Sequence, residues 1–289
     1  MPKTKLATIQ LNSSDEIESN LEQCHHWIKQ AYKQGAKLVA LPENFAYMGR
    51  ESDKIQNLAL IQKKAQNFLS KVAIEFQIFV LGGGYPSISP DPEKAYNRAS
   101  IFSPEGIEVF QYNKIHLFDT NPGDGIHYKE SRTVLSGSAI PNTIDIPEIG
   151  RVSSVICYDL RFPELFRKIS EQNVQIIFVP SAFTELTGGA HWEVLLRARA
   201  IENFVYIVAP GQTGTHTLSN SATETRNDGR LSQASTLKKT YGHSMVISPW
   251  GEILLDAGEE VGCNLVEIDL DDVEIARKKI PALDHRFLR

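Results

Sequence analysis

Five short apolar runs, at residues 37–41, 78–82, 151–157, 175–180 and 204–210, each stop at a turn and alternate with stretches of helical periodicity. Runs this short, rich in Val, Ile and Leu, fit strands covered on both faces. Parallel neighbours of that kind need crossover connections, normally helices. In order, the chain gives a strand at 5–11, a helix striped by Ile17, Leu21, Cys24, Ile28 and Ala31, the strand 37–41, an amphipathic helix at 55–75 and the strand 78–82. A hairpin of 96–102 and 107–112 follows, closed by Ser103-Pro104-Glu105-Gly106. After a strand at 143–146 the order repeats: strand 151–157, helix 162–171, strand 175–180, helix 193–203, strand 204–210, and a hairpin of 245–248 and 252–256 turning at Pro249-Trp250-Gly251. A strand at 262–270 and a helix at 271–280 come last. Two halves on one plan predict an α/β fold: two mixed sheets, each covered on one face by helices, packed as a four-layer α-β-β-α sandwich. No flexible linker divides the sequence, so a single domain over 1–289 is expected.

Finer signals lie between these elements. Ser13 stands three residues before Glu16, a capping-box pattern for the first helix. Gly82-Gly83-Gly84-Tyr85 reads as a turn, and 119–137 as a polar loop. Residues 181–192 read as a loop leading into the helix at 193. The segment 214–241, rich in Ser, Thr, Asn and basic residues, is long for a structureless connection and reads as a lid or pocket loop.

Composition excludes several classes. A net charge of -5 argues against a nucleic-acid surface. No apolar run approaches a membrane span, and the first residues lack the apolar core of a signal peptide, so a cytoplasmic protein is expected. Cys24, Cys157 and Cys263 are odd in number and show no CxxC spacing, which fits a reducing compartment without disulfides or a zinc site.

Three chemically active side chains stand at strand ends. Cys157 closes an apolar run before a tight turn, and Pro163 starts a helix beyond it; the field of a helix start favours the reactive thiolate. The alternative is a core cysteine, the reading that suits Cys24 and Cys263. Glu43 lies just past the strand 37–41, where α/β folds place ligands, and Lys114 just past the hairpin; each could instead be solvated. Asp159 and Arg161 are expected to hold the cysteine turn through salt bridges. His191 and His243 suggest a Cys-His pair, but structural hydrogen bonds would satisfy both.

A carboxylate, an amine and a thiol in this order, with their flanks, resemble the nitrilase superfamily of carbon–nitrogen hydrolases. The resemblance is carried by Leu41-Pro42-Glu43, by Tyr112-Asn113-Lys114-Ile115-His116-Leu117-Phe118-Asp119 and by Cys157-Tyr158-Asp159-Leu160-Arg161-Phe162-Pro163-Glu164. It continues through Ala190-His191-Trp192-Glu193, Arg197-Ala198-Arg199-Ala200 and Tyr241-Gly242-His243-Ser244 to Pro249-Trp250-Gly251-Glu252, nearly the whole chain. It implies the α-β-β-α fold and a Glu-Lys-Cys triad at Glu43, Lys114 and Cys157, with Glu130 contacting the lysine. It also implies a homodimer or higher homo-oligomer packed through helices near the nucleophile, and neither metal nor organic cofactor.

The reaction so implied is hydrolysis of a small-molecule carboxamide by water. Glu43 takes the thiol proton, and burial is expected to raise its pKa towards the useful range. Lys114 and the backbone N–H of Tyr158 stabilise the oxyanion. Within the superfamily the motifs resemble the Nit branch. Residues 162–165, 196–202 and 241–245 favour deaminated-glutathione hydrolysis, whereas 117–119 and 129–133 are similar to ω-amidases acting on α-ketoglutaramate. Substrate contacts are expected from Tyr47, Phe183, Thr184, His191, Arg226 and Arg230, with Lys238 and Lys239 as further carboxylate binders in the basic segment. A nitrilase or N-carbamoyl hydrolase would use the same triad. The intact triad speaks against a catalytically idle binding protein.

Overall fold

In the computed structural model, residues 3–218 and 236–287 are described, apart from the side chains of 236 and 237. The first half runs β1 (Thr4–Gln10), α1 (Ile17–Lys33), β2 (Leu38–Ala40), α2 (Glu51–Gln56), α3 (Leu58–Phe76), β3 (Phe79–Ile88), β4 (Ala95–Phe102) and β5 (Glu108–Asn113). A small pair, β6 (Asp119–Thr120) and β7 (Tyr128–Lys129), then leads to a single 3-10 turn at Glu130–Arg132. The second half runs β8 (Ile144–Ile146), β9 (Gly150–Ser154), α4 (Pro163–Ser170), β10 (Ile176–Phe178), α5 (Glu185–Asn203), β11 (Tyr206–Ala209), β12 (Thr213–Thr217), β13 (Thr236–Tyr241), β14 (Met245–Ile247) and β15 (Ile253–Asp256). Finally come β16 (Gly262–Ile268) and α6 (Asp271–Lys279).

The two halves build two mixed sheets on one plan. In the first, β1, β2 and β3 are parallel, the hairpin β4–β5 extends one side, and the late strand β16 returns antiparallel beside β1. In the second, β9, β10 and β11 are parallel, β14–β15 extends one side, and β8 lies antiparallel beside β9.

Strand alternation assigns the layers. Ala7, Ile9, Val39, Leu41 and Val80 pack with Leu21, Cys24, Ile28, Leu69 and Val72 of α1 and α3. Leu6, Leu38, Ala40, Leu81, Ala99 and Ile101 face the other way, into a core shared with the second sheet and with α4 and α5. The four-layer sandwich follows, and the buried Cys24 is a packing residue of α1 as its helical stripe indicates.

Several local expectations fail for identifiable reasons. No capping box forms at α1: Ser13 hydrogen-bonds Phe45 and Gln212 across the interior, and Ser14 Oγ instead accepts from Glu16 N at 3.2 Å. The helix expected at 55–75 is two helices that break at Asn57. Gly82–Tyr85 is no turn but a register shift inside β3. The strand expected to reach Cys157 ends at Ser154, and α5 begins at Glu185, eight residues earlier than expected. The polar stretch 119–137 contains the pair β6–β7 and the 3-10 turn, and the segment 214–241 is framed by the antiparallel pair β12–β13.

His216 ties that pair to the first half. It is fully buried, with Nδ1 2.8 Å from Ser13 O and Nε2 2.8 Å from Thr240 Oγ1. Burial, helped by the charge of Lys238, lowers its pKa from 6.5 to about 4. The unfolded chain therefore takes up a proton below 6.5 that the folded chain resists until about 4. The stability this provides is complete above that window and lost as pH falls through it, up to about 3 kcal/mol. In urea titrations the stability gap between wild type and His216→Asn should shrink as pH falls across the window; a gap independent of pH contradicts this account.

Candidate active site

Each reactive side chain is delivered by a strand end. Glu43 follows β2 through Leu41-Pro42, and the backbone there is held by Leu41 N to Leu81 O at 2.9 Å and Asn44 N to Gly84 O at 2.7 Å. This approach explains the glycines of β3. A Cβ on Gly83 would stand 1.9 Å from Leu41 O, and one on Gly84 3.1 Å from Glu43 Cγ. Lys114 follows β5, with its N–H donated to Asn97 O at 2.9 Å. Cys157 lies three residues past β9, in a 3-10 turn with φ 48°, a left-handed conformation that costs on the order of 1 kcal/mol or more in a non-glycine residue. The surroundings hold it there: Cys157 N donates to Pro180 O at 3.0 Å.

Asp159 is the main brace of this turn. It is fully buried and accepts from Tyr112 Oη at 2.8 Å, Ile156 N at 2.9 Å, His116 N at 3.1 Å and His116 Nδ1 at 2.7 Å. The expected role for Asp159 therefore holds. Among the described residues Arg161 makes no such salt bridge: its guanidinium lies 5.1 Å from the Phe183 ring centroid and meets His191 Nδ1 at 3.2 Å.

The side chains converge on a cavity of about 220 Å³ lined by Glu43, Lys114, Glu130, Cys157, Tyr158, Phe183 and Thr184, among others. Lys114 Nζ donates to both oxygens of Glu130, at 3.0 and 2.9 Å, and to Glu43 Oε1 at 3.2 Å. Glu43 Oε1 also accepts from Asn97 Nδ2 at 2.8 Å, and Oε2 from Ala182 N at 2.9 Å. Phe118 N fixes Glu130 at 2.6 Å. The Cys157 thiol lines the same cavity beside the Glu43 carboxylate.

The protonation states reverse two expectations. Burial alone would push the Glu43 carboxyl up, but the Lys114 ammonium, the charge of Lys238 and the hydrogen bond from Lys114 hold it below its ordinary value. Burial raises the Cys157 thiol well above the usual range, and the Glu43 carboxylate adds to the rise. The resting pair is thus a carboxylate and a neutral thiol, not a thiolate. The helix-start field expected to favour thiolate is remote, since α4 begins only at Pro163. Burial would lower Lys114, but Glu130 and then Glu43 outweigh it, and the ammonium is held strongly protonated.

Other expected contacts fall elsewhere. Tyr47 lines a smaller adjoining cavity, where burial pushes its hydroxyl up to about 12. His191 is exposed in the second turn of α5, outside the catalytic cavity. Arg226 and Arg230 lie outside the described residues. Lys239 pairs with Glu185, away from the cavity, whereas Lys238 lines it. His243 Nδ1 is 2.9 Å from Asp256, a structural bond of the kind expected. Asn97, Glu51 and Lys54 line the site without having been singled out; the only signal for Asn97 was an amide inside an otherwise buried strand. Among the described residues no cluster of three or more His, Cys, Asp or Glu side chains could hold a metal ion, and no helix is long and apolar enough to cross a membrane.

A buried thiol, carboxylate and ammonium thus meet at one cavity of a two-sheet α/β sandwich. The sequence matches the Carbon-nitrogen hydrolase family over residues 5–278, and the chain belongs to that family. It is an amidohydrolase acting on carbon–nitrogen bonds other than peptide bonds. It is 42% identical over 281 residues to deaminated glutathione amidase of Synechocystis sp., covering 97% of each chain. It is 36% identical to omega-amidase NIT2 of Homo sapiens, covering 97% of this chain and 94% of that one. The crystal structure of the C. elegans NitFhit protein superposes with a TM-score of 0.87 at 33% identity, covering 99% of this chain and 65% of that longer one.

The close approach at Gly83 generates a direct test. Gly83→Ala would drive a methyl group into Leu41 O and to 2.4 Å from Pro180 Cβ, beside both Glu43 and the cysteine turn. We expect a loss of about 2 kcal/mol or more in stability, together with activity. A thermal midpoint equal to that of the wild type would refute this account of the β3 bulge.

Proposed function

We propose that this protein hydrolyses a carboxamide to a carboxylic acid and an amine, or ammonia where the amide is primary, through a thioester on Cys157. The observation that carries the reading is the meeting of thiol, carboxylate and ammonium at one cavity. Glu43 is the general base. It rests ionised beside a protonated sulfur, so the proton moves only as the carbonyl carbon is attacked. Sulfur bonds to carbon, and the carbonyl electron pair moves onto oxygen. Lys114 and the N–H of Tyr158 receive that oxyanion. Glu130 keeps the lysine charged and aimed. Glu43 then gives the proton to the departing nitrogen, which leaves as the cysteinyl-glycine amine from deaminated glutathione or as ammonia from a primary amide. Water, deprotonated by Glu43, attacks the thioester and releases the acid and the thiol.

Deaminated glutathione is the substrate we favour, in line with the Synechocystis relative. α-Ketoglutaramate is the second candidate, supported by the human omega-amidase relative. Both are acidic amides. Phe183 and Thr184 supply substrate contacts from the entry to α5. The chain acts as one hydrolase unit, and the presence of Lys238 in the cavity wall supports a pocket role for β13; residues 219–235 of the expected lid or pocket loop lie outside the described residues. Pairing of subunits through α5 would cover its exposed Leu186, Val194 and Ile201. Free cysteines suit a cytoplasmic setting.

Three measurements test the mechanism. Cys157→Ala should fold and lose hydrolysis of these amides, read as acid product formed, by at least about a thousandfold; retained turnover would sink the thioester. Lys114→Ala should lose about a hundredfold or more, yet leave Cys157 open to iodoacetamide. Activity needs the Glu43 carboxylate, so it is present above the folded pKa and lost as pH falls through it. Because that pKa is held below its ordinary 4.5, the acid limb of kcat/KM should lie below that value. An inflection at about pH 5 to 7 belonging to Glu43 would contradict the assignment.

A further inference from the structure

Strand alternation separates the two lysines of β13. Residues 238 and 240 share one face, 239 and 241 the other. Thr240 is buried against His216, so its face looks into the molecule. On the opposite face, Lys239 pairs with Glu185 and Tyr241 packs on Gly188, both of α5. Lys238 lines the catalytic cavity and also the smaller cavity beside it, at the junction of the two. It is half-buried, and among the described residues its ammonium makes no ion pair or hydrogen bond.

The carboxylates nearby already have partners. Both oxygens of Glu51 accept from Lys54 Nζ, at 2.7 and 2.8 Å, and Glu51 also accepts from Thr133 at 2.6 Å. Glu43 and Glu130 share Lys114. A half-buried ammonium with no counter-ion is costly, and a carboxylate from a ligand removes that cost. The charge of Lys238 is felt in the site: it helps lower the pKa of Glu43 and of Glu51 and helps keep His216 neutral.

We infer that Lys238 anchors a carboxylate carried by the substrate away from the scissile amide, and so selects acidic amides over neutral ones. The inference rests on the amide-hydrolase reading given above. It separates one lysine from the four basic residues of the 214–241 segment and gives it a defined partner, a carboxylate.

The test compares the full chain with its Lys238→Met, Lys238→Arg and Lys238→Glu variants. The first readout is kcat/KM for a five-carbon ω-amide with a free carboxylate, divided by that for its methyl ester. This ratio should fall about tenfold or more in Lys238→Met, recover in Lys238→Arg and fall further in Lys238→Glu. The two amides share the reacting centre, so any general effect through Glu43 cancels in the ratio. A Lys238→Met ratio within about twofold of the wild type overturns the inference. The second readout is protection of Cys157 from iodoacetamide by glutarate, read by mass spectrometry. The half-protecting concentration should rise about tenfold in Lys238→Met; equal protection overturns the inference. Protection needs no turnover. A protein that hydrolysed no amide would overturn the hydrolase reading, while the fate of Lys238 would still be decided by the second readout.

Discussion

A buried carboxylate and ammonium meet a second, half-buried carboxylate beside a thiol, and much of the surrounding structure serves to make that arrangement tolerable. Burying a lone charge costs several kcal/mol, and even a paired one gains only when its remaining hydrogen-bonding capacity is met. Here Glu43 is met by Lys114, Asn97 and the Ala182 amide, and Glu130 by Lys114 and the Phe118 amide. The trio still carries one excess negative charge. A thiolate would add a second, which is why the sulfur keeps its proton at rest. In the proposed reaction that charge count changes only when a carbonyl arrives, because attack moves the new charge onto an oxygen beside Lys114. A resting thiol of this kind is also a poorer target for stray electrophiles than a free thiolate.

The topology explains how such a cluster can be assembled from distant residues. Parallel strands present all their carboxyl ends at one edge, where ligands bind in open α/β sheets. β2 and β9 supply Glu43 and Cys157 from equivalent edges of the two sheets, and the end of β5 supplies Lys114. Packing the sheets face to face brings Glu43 of the first onto the Ala182 amide just past β10 of the second. A polar seam locks the halves there: Gln212 Nε2 donates to Ser13 Oγ at 2.8 Å and to Glu43 O at 3.0 Å, while Ser13 N donates back to Gln212 at 3.0 Å. Ser13 is lost to helix capping because it is used in this seam.

What could be read from the sequence was whatever burial and strand ends dictate locally. The two-halved plan followed from apolar runs, and Glu43, Lys114 and Cys157 stood out because each closes a strand or hairpin. Protonation states were not legible, because they depend on charges brought together from positions 43, 114, 130 and 238. The start of α5 was hidden for a different reason. Gly188-Gly189 are poor helix formers, yet a Cβ on Gly188 would lie 2.3 Å from Tyr241 Cβ. The glycine is there so that α5 can touch β13, and tertiary packing overrides its propensity. Likewise the glycines of β3 signal a close approach to Glu43, not the turn their composition suggests.

In the proposed function chemistry and selection occupy different parts of this molecule, and that division limits what fold likeness can say about substrate. The reacting groups sit on strand ends fixed by two sheets, so relatives with different amidase names can share them. The outer wall is built from the 3-10 turn bearing Glu130, the entry to α5 and the β13 face bearing Lys238. These are short elements whose side chains can change without disturbing the sheets. A lysine there can be exchanged at little structural cost, because among the described residues its ammonium has no partner to lose. A half-buried cation of this kind gains from a counter-ion, and in the proposed function the substrate carboxylate supplies it.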